Sequence, residues 1–247
     1  MVLDTVDSTN DEVRRRVAGG SEGGLVVVAE RQTAGRGRRG RTWHSAESLG
    51  LYVSAGFRTR APIAEVSRFT LAAAVAACEA CREECRSTVT IQWPNDLTHD
   101  GRKLGGILCE LRSAADGSSE VIVGLGINVF HGPDDFPPEI VARATSLSVA
   151  SGASMLDRED LLVGYLARLG ATVEALRRGE WAEVARRWSD LAPEATGAKV
   201  RLIAQDRHGS VEGTTAGIDG DGALLVRAAD GALTRVCAVD TVLYEGE

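Results

Sequence analysis

The sequence predicts an α+β protein with two domains, and three observations lead to this prediction. Residues 88–129 contain three strand patterns in succession, joined by turns that contain glycine, and such a meander is antiparallel. Segments 63–85 and 156–179 have the apolar spacing of amphipathic helices. The end of the chain consists of short alternating strands with glycine turns. We therefore expect a mixed, largely antiparallel sheet backed by helices in residues 1–192, and a small β-barrel in residues 193–247.

The first half of the chain opens with the segment "DSTNDEVRRRVAGG", which predicts a short helix. Thr9 and Glu12 fit a capping box at its start, and Gly19 and Gly20 fit its end. Two strands, "GLVVVAE" and "SLGLYVSAGF", follow on either side of a loop rich in glycine and arginine. After the helix over 63–85, the meander consists of "TVTIQWPND", "RKLGGILCEL" and "EVIVGLGINV".

The second half opens with a loop from His131 to about Ser154 that is rich in proline, aspartate and small polar residues. Long loops of this kind are often functional. The helix over 156–179 has an apolar side formed by Leu161, Leu162, Tyr165, Leu166, Leu169 and Val173. A shorter helix, "EWAEVARRW", precedes the barrel, whose strand patterns are "GAKVRLIA", "GSVEGTTAGID", "GALLVRAAD" and "TRVCAVDTVLY".

The composition excludes several classes of protein. With 247 residues, of which 44% are hydrophobic, the chain can build a sizeable core. A net charge of -7 argues against a general nucleic-acid binder, because such proteins need an excess of basic residues over a broad face. The sequence has no apolar run of transmembrane length and no signal peptide at its start. We expect a cytoplasmic protein.

The cysteines and histidines do not predict a disulfide framework or a zinc site. Five cysteines is an odd number, and their spacing is uneven. Cys78, Cys81 and Cys85 are three and four residues apart in a helical pattern, on one face with Leu71 and Val75, which indicates core packing. The four histidines are scattered without ligand spacing.

Residues 35–40, "GRGRRG", match the G-x-G-x-x-G fingerprint of dinucleotide-binding proteins, but their context does not. In that fold the glycines directly follow a strand and open a helix, whereas here "RQTA" intervenes and "RTWHS" has no helical period. A nicotinamide-dependent oxidoreductase is therefore rejected. The arginines themselves suggest a clamp for phosphate or carboxylate oxygens on a mobile glycine loop. Taken alone, the loop could equally be a solvated charged loop or a local nucleic-acid patch.

Four stretches in the same order along the chain identify a resemblance. "DSTN", "GRGRRGRTW", "QWPND" followed by "GRKLGGILCE", and "GLGINV" resemble the signature blocks of biotin protein ligases. These enzymes activate biotin with ATP and attach it to a lysine of a carrier protein. The resemblance covers nearly the whole chain, because the family also ends in an SH3-like β-barrel. It implies a catalytic core shared with lipoate ligases and class II synthetases, Mg²⁺ bridging the ATP phosphates, and a biotin carboxyl carrier protein as partner.

By this resemblance, Ser8, Thr9 and Asn10 line the pocket for the ureido ring of biotin, which needs both a donor and an acceptor. A helix N-cap is the alternative for these three residues, and the two roles are compatible. Gln32 resembles a further pocket residue. The other biotin contacts implied by the resemblance are Gly35, Arg36, Gly37, Arg38, Trp43, Lys103, Gly105 and Gly106.

Lys103 is the main catalytic candidate, together with Arg36 and Arg38. The resemblance places Lys103 beside the reacting carboxylate, where an ammonium lowers the repulsion between two anions. A solvated charge on an edge strand is the alternative. The ATP and adenylate contacts implied are Arg36, Arg38, Arg41, Asn95, Asp96, Lys103 and Asn128. One residue departs from the family pattern, since Gln92 stands where the family usually has Lys or Arg.

Two rival functions stay open at this point. A lipoate or octanoate ligase of the same fold would need no polar trio for a ureido ring, and a non-catalytic nucleic-acid or adaptor protein would use the basic loop and the barrel. Some biotin ligases are also repressors with an N-terminal DNA-binding domain. Here "DSTN" begins at residue 7, so we expect a ligase that does not bind DNA. The sequence does not decide between a monomer and a homodimer, or name the Mg²⁺ ligands.

Overall fold

A computed structural model describes residues 1–17, 24–61, 65–86, 88–113, 116–152, 156–204, 209–237 and 241–244. In these residues the strands of the larger sheet are β1 (Val2–Val6), β2 (Leu25–Gln32), β3 (Gly50–Thr59), β4 (Thr90–Gln92), β5 (Asp96–His99), β6 (Arg102–Ser113) and β7 (Ser119–Asn128). They lie in the order β1-β2-β3-β7-β6-β5-β4. β1 is parallel to β2, and the other neighbouring pairs are antiparallel. The predicted mixed, largely antiparallel sheet is confirmed.

The helices are α1 (Thr9–Val17), α2 (Val66–Cys85), α3 (Leu147–Ser151), α4 (Arg158–Arg177) and α5 (Trp181–Leu191). Side chains alternate between the two faces of each strand. On β7, Val121, Val123, Leu125 and Ile127 belong to the core with α2 and α4, whereas Ile122 packs with α1 on the other face. Among the described helices, none has both the length and the apolar character that a membrane span requires.

Two predictions about these helices hold in the structure. The apolar side predicted for α4 is buried at Leu161, Tyr165, Leu169 and Val173 and partly buried at Leu162 and Leu166. Cys78 and Cys81 are fully buried in the core on α2, as predicted. The side chain of Cys85 and the whole of His208 lie outside the described residues.

The second sheet contains β8 (Thr196–Ala204), β9 (Gly209–Ile218), β10 (Leu224–Arg227), β11 (Leu233–Val236) and β12 (Thr241–Tyr244). These strands lie in the order β11-β10-β9-β8-β12 and are antiparallel throughout, as expected for the SH3-like barrel. The buried cluster is continuous between the two parts, because Leu224 and Val226 share it with Trp188 of α5. The predicted domain boundary falls on the 3-10 turn Pro193–Ala195, between α5 and β8.

The turn between β9 and β10 fastens the barrel to the larger sheet. Gly222 has a φ of +81°, and a Cβ there would lie 2.8 Å from Leu71 Cδ1 on α2, so the turn requires glycine. Arg68 of α2 donates to Gly220 O at 3.0 Å. The indole Nε1 of Trp93, which follows β4, donates to Gly222 O at 3.2 Å.

Some elements differ from the prediction. β1 was not predicted because "VLDTV" is short, and it is mostly exposed and joins the sheet through backbone bonds to β2. The pattern over 88–96 divides into β4 and β5, with a turn at Trp93–Asn95 between them. The pattern "TRVCAVDTVLY" divides into β11 and β12, which lie at opposite edges of the barrel sheet. α3, only five residues long, lies in the predicted loop.

Candidate functional site

A cavity of about 790 Å³ lies on the α1 side of the larger sheet. Its floor is made of small residues, because the alternation of β7 places Gly124, Gly126 and Asn128 on the face opposite the core. Gly106 of β6 adds to this floor. The beginning of α1, the arginine loop, the β4–β5 turn and residues of segment 136–144 form the remaining walls.

The structure brings most of the predicted site residues together around this cavity. Those that line it are Ser8, Thr9, Asn10, Gln32, Arg36, Gly37, Arg38, Arg41, Trp43, Asn95, Asp96, Lys103, Gly106 and Asn128. Gly35 and Gly105 do not line it. A Cβ at Gly35 would lie 2.5 Å from Trp43 O, and one at Gly105 would lie 2.9 Å from Gly126 O. At these two positions an added side chain would meet protein and not the cavity, and a contact of their backbone with biotin stays a prediction.

One wall of the cavity is polar and uncharged. Gln32 Oε1 accepts from Thr9 N at 2.9 Å and from Thr9 Oγ1 at 3.1 Å, and Gln32 Nε2 donates to Ser45 Oγ at 2.9 Å. Ser54 Oγ lies 2.6 Å from Asn10 Oδ1 and 2.7 Å from Thr9 Oγ1. Buried amide and hydroxyl groups held in this way present both donors and acceptors at fixed positions. We call Thr9, Asn10 and Gln32 the polar wall, and the fully buried Ser54 supports it from behind.

The sequence reasoning missed Ser54 and the two floor glycines, although the period of the strands gives a signal for them. A Cβ at Gly124 would overlap Asn10 Oδ1, and one at Gly126 would lie 2.6 Å from Trp43 Cε2. Glycine is therefore needed at both positions, so that Asn10 and Trp43 can lie flat against β7. Small residues at every second position of a buried strand indicate a face that something else approaches closely.

The arginine loop is a closed hairpin-like loop. Gly37 N donates to Arg41 O at 2.6 Å, and Arg36 pairs with Thr42 in an isolated antiparallel bridge. The loop turns at Arg39, with a φ of 54°, and at Gly40, with a φ of 74°. It leads into β3 and not into a long helix, so the rejection of a dinucleotide fingerprint is confirmed.

Two arginines of this loop reach across the cavity to other elements. Arg36 Nη2 lies 2.8 Å from Glu110 Oε2 and 3.0 Å from Asp11 Oδ1. Arg38 Nη1 donates to Asn95 Oδ1 at 3.1 Å. The sequence reasoning did not single out Glu110 or Asp11, because their role depends on contacts between segments that are far apart along the chain.

Lys103 faces the cavity because β6 contains a β-bulge. Thr98 pairs with Lys103 and Leu97 pairs with Gly105, so Leu104 is an extra residue in β6, and its side chain is fully buried. Bulges re-aim the side chains next to them. Lys103 Nζ lies 2.7 Å from Asp96 Oδ1 and 5.6 Å from the centroid of the Trp43 ring.

The backbone of Lys103 is held on its other side by the segment that follows β7. Lys103 N donates to Arg143 O at 2.7 Å, and Thr145 N donates to Lys103 O at 2.9 Å. Asn128 Nδ2 donates to Thr145 O at 3.0 Å. The main chain at Lys103 is therefore held between β5 on one side and this segment on the other. This favours a preorganised position for the Lys103 ammonium.

The same segment is tied to the arginine loop through histidines. His44 Nε2 lies 3.0 Å from Asp135 O, and the His44 ring meets the His131 ring edge to face at 6.1 Å. The buried His131 ring stacks on Phe136 at 5.0 Å. Burial, followed by the neighbouring His44, lowers the pKa of His131 to about 4, so this ring is neutral at physiological pH.

Gln92, the residue that departs from the family pattern, lines the cavity at the end of β4. Its Nε2 donates to Glu194 Oε2 at 3.4 Å. Glu194 lies in the 3-10 turn that leads into the barrel. An uncharged side chain at this position thus connects the cavity wall to the start of the second sheet.

The cavity therefore combines a polar, uncharged wall with a region of arginines and one lysine. Such a site can hold a ligand with an amide-like group at one end and anionic oxygens at the other. Among the described residues, no group of three or more His, Cys, Asp or Glu could enclose a metal ion.

Comparison with known proteins gives consistent similarities. The model of the biotin/lipoate A/B protein ligase family matches residues 2–128, and that of the biotin protein ligase C terminal domain matches residues 197–238. The bifunctional ligase/repressor BirA of Bacillus subtilis (strain 168) is 34% identical over 228 residues, which are 92% of this chain and 69% of BirA. The biotin--[acetyl-CoA-carboxylase] ligase of Paracoccus denitrificans is 33% identical over 93% of this chain and 95% of its own length.

The fold is similar to that of a solved enzyme. The structure of biotin protein ligase from Aquifex aeolicus in complex with biotin and ATP superposes with a TM-score of 0.82 at 28% identity, and the match covers 99% of this chain and 98% of that one. The likeness therefore extends over both sheets of the fold.

Proposed function

The chain belongs to the biotin protein ligase family, and on this premise we propose that the cavity binds biotin and ATP side by side and joins them. The protein is an ATP-dependent ligase that activates biotin as biotinyl-5'-AMP and transfers it to a carboxylase. The single observation that best supports the proposed site is the continuity of the polar wall with the cationic region inside one cavity.

The polar wall suits the ureido ring of biotin. That ring carries N–H donors and a carbonyl acceptor, and the wall offers side-chain oxygens and amides that are already fixed by hydrogen bonds. Lipoyl and octanoyl chains have no such group and would gain no hydrogen bonds from this wall, which disfavours them relative to biotin. The lipoate ligase alternative is accordingly rejected in favour of biotin.

The cationic region suits the reacting anions. The carboxylate of biotin must approach the α-phosphate of ATP, and both are negatively charged. Lys103 is placed to lower this repulsion and to stabilise the charge that grows in the transition state, while Arg36 and Arg38 hold the phosphate or carboxylate oxygens. Trp43 covers the floor beside Gly126, and its ring centroid lies 5.6 Å from the Lys103 ammonium.

We assign the nucleotide to the side of the cavity where Asn95 and Asp96 meet the arginine loop. Mg²⁺ usually takes one or two carboxylates together with substrate phosphates, and Asp96 and Asp100 are carboxylates of the cavity lining. These residues fit an ion that is bound mainly through the nucleotide. Mg²⁺ would neutralise phosphate charge, and Asp96 would in addition hold the Lys103 ammonium.

Transfer follows when a lysine amine attacks the carbonyl of biotinyl-5'-AMP and AMP leaves. We propose that the acceptor is a biotin carboxyl carrier protein or domain.

We retain as predictions the division into a ligase domain over 1–192 and a barrel over 193–247, the cytoplasmic location and the lack of DNA binding, and we leave the choice between monomer and homodimer open. The two family models, which match 2–128 and 197–238, support that division.

The test is exchange of labelled pyrophosphate into ATP. We expect exchange that depends on biotin and that is absent with octanoate or lipoate. Exchange with octanoate or lipoate alone would replace the proposal with the lipoate ligase alternative. If the protein binds biotin in calorimetry but no acid supports pyrophosphate exchange, the adenylation step is refuted.

A further inference from the structure

Glu110 of β6 contacts both parts of the site through its carboxylate. Its Oε2 accepts from Asn10 Nδ2 at 2.7 Å and from Arg36 Nη2 at 2.8 Å. Its Oε1 accepts from Arg14 Nη2 at 2.8 Å. One oxygen atom therefore joins a residue of the polar wall to a residue of the arginine loop.

The chemistry of Glu110 fixes the orientation of the Asn10 amide. A carboxylate only accepts hydrogen bonds, so the amide nitrogen must face Glu110 and the amide oxygen must face the other way. On that side Asn10 Oδ1 accepts from Ser54 Oγ at 2.6 Å. Asn10 Nδ2 also donates to Leu108 O at 3.3 Å, so Glu110 and this carbonyl together set which of the Asn10 atoms remain to meet a ligand.

Glu110 also positions Arg36, and it leaves some of the N–H donors of the Arg36 guanidinium unused. Glu110 and Asp11 both contact Arg36 through Nη2, while Arg36 Nε is buried and has no hydrogen-bond partner. Arg14 pairs with both Glu110 and Asp11, so the two carboxylates keep a cation if Arg36 turns. Arg36 is thus held at the cavity edge with a donor available for an anion.

We infer that Glu110 is a positioning residue that couples the biotin pocket to the nucleotide pocket. Biotin that settles on Asn10 fixes Glu110 Oε2, and this oxygen fixes Arg36 for the phosphates of ATP. The inference rests on the proposed function, because it takes Asn10 as a biotin contact and Arg36 as a nucleotide contact. Coupling of this kind is reciprocal, so each ligand strengthens the binding of the other by the same factor.

Two substitutions at Glu110 separate its two links. In Glu110→Gln the side-chain oxygen can still accept from Asn10, but the charge that holds Arg36 is lost. In Glu110→Ala both links are lost. Calorimetry gives the dissociation constant of biotin, and that of a non-hydrolysable ATP analogue with and without saturating biotin. Glu79→Gln is the matched control, because Glu79 forms an ion pair with Arg187 of similar exposure at a distance from the cavity.

We expect biotin to tighten binding of the analogue by about 5-fold or more in the wild type and in Glu79→Gln. In Glu110→Gln this enhancement falls towards one while biotin affinity changes less than about threefold. In Glu110→Ala, biotin affinity also falls by about tenfold or more, as loss of a hydrogen bond to a charged acceptor implies. In an Arg36→Gln background, Glu110→Gln should cause no further loss of analogue binding, because residues that act through one another are not additive.

Three outcomes would overturn the inference. The first is that biotin does not tighten analogue binding in the wild type. The second is that biotin tightens it fully in both Glu110 variants. The third is that the losses of analogue affinity are additive in the Arg36→Gln background. The melting temperatures of the variants show whether each one folds, and Glu110→Gln supplies the test if Glu110→Ala does not. The proposed function fails separately, by the absence of biotin-dependent pyrophosphate exchange in the wild type.

Discussion

Lys103 Nζ lies 2.7 Å from Asp96 Oδ1, so the ammonium proposed to act on the reacting carboxylate already has an anionic partner in the cavity. Lys103 is still 40% exposed at its side chain, and it therefore remains accessible to a ligand. The pair places a cation at the junction of the two proposed subsites. It also means that removal of the lysine would leave a carboxylate unpaired beside the nucleotide phosphates.

Lys103→Ala should damage catalysis much more than biotin binding. The ammonium acts mainly where charge develops, so its loss raises the activation barrier more than it weakens ground-state affinity. Loss of one preorganised donor typically lowers the rate by about a hundred- to a thousandfold. Single-turnover formation of the adenylate, measured beside biotin calorimetry, separates the two effects. Asp96→Asn, which keeps the ammonium, is the comparison, and adenylate formation at the wild-type rate in Lys103→Ala would show that the assigned role is wrong.

Arg38→Gly should release the adenylate into solution. The guanidinium that donates to Asn95 is the proposed clamp on the anhydride, and its loss removes a charged hydrogen bond. We expect labelling of lysines on an unrelated bystander protein to rise by about tenfold or more. Detection of biotin on added serum albumin measures this directly. Arg186→Ala, which removes an exposed arginine on α5, should behave like the wild type, and equal labelling by both variants would refute the clamp.

Gly126→Ala should weaken biotin binding while the fold is kept. The added methyl would lie 2.6 Å from Trp43 Cε2, so the indole must leave its place on the cavity floor. We expect at least about a tenfold loss of affinity, which corresponds to about 1.4 kcal/mol. Gly170→Ala is a suitable control, because a Cβ there meets no atom within 4 Å. The control should bind biotin normally and gain up to about 1 kcal/mol in the free energy of unfolding. Unchanged affinity in Gly126→Ala would show that Trp43 does not cover the ligand.

The free energy of unfolding should decrease as the pH is lowered, because His131 titrates. Its pKa in the fold, about 4, lies below the ordinary value of 6.5, so the unfolded chain takes up the proton first as the pH falls. The contribution of this group is fully present above the unfolded pKa and is lost as the pH falls towards about 4. From pH of about 7.5 to about 4.5, the loss from this one group is about 2–3 kcal/mol. Urea unfolding of wild type and His131→Phe at both pH values measures it. The two proteins should differ in pH dependence, and parallel curves would contradict the prediction.

Ligands should protect the arginine loop from trypsin. Its arginines repel one another and its glycines allow movement, so phosphate or adenylate should order it. Cleavage after Arg36, Arg38, Arg39 and Arg41 is expected to slow by about tenfold or more with saturating biotin and ATP, in line with the fraction of protein that is bound. Cleavage after the exposed Arg178, which follows α4 and lies outside the cavity, is the internal control. Equal rates at both places in the presence and absence of ligand would argue against ordering of the loop.

Much of the fold could be predicted because its signals are local. The alternation of β7 and the apolar side of α4 are visible in short stretches of sequence, and the structure confirms both. β1 gave no such signal, since it has only five residues, which are mostly exposed, and it joins the sheet through backbone bonds to β2. The turn at Trp93–Asn95 also escaped prediction, because the strand pattern continues on either side of it.

The site was predictable to the extent that its residues stand in recognisable stretches. Lys103 and Arg38 were proposed because the stretches that contain them resemble signature blocks of the family. Glu110 acquires its significance from Asn10 and Arg36, which are 100 and 74 residues away along the chain. Contacts of this kind depend on how the strands and loops are brought together, and no local pattern of sequence encodes them. The same is true of His131, whose low pKa results from burial that only the fold creates.

The hydrogen bond from Trp93 to Gly222 bears on attempts to exchange parts between related ligases. Trp93 lines the cavity, so the turn at Gly222 helps to position one side of the cavity. A transplanted barrel must reproduce that turn, including a residue without a side chain where Leu71 approaches. A chimera joined at Pro193 would otherwise alter the cavity from a distance, even though every residue that lines it were kept. A chimera should therefore keep Asp219–Gly222 together with the α2 of the same protein. Only the outer strands of the barrel should then be exchanged.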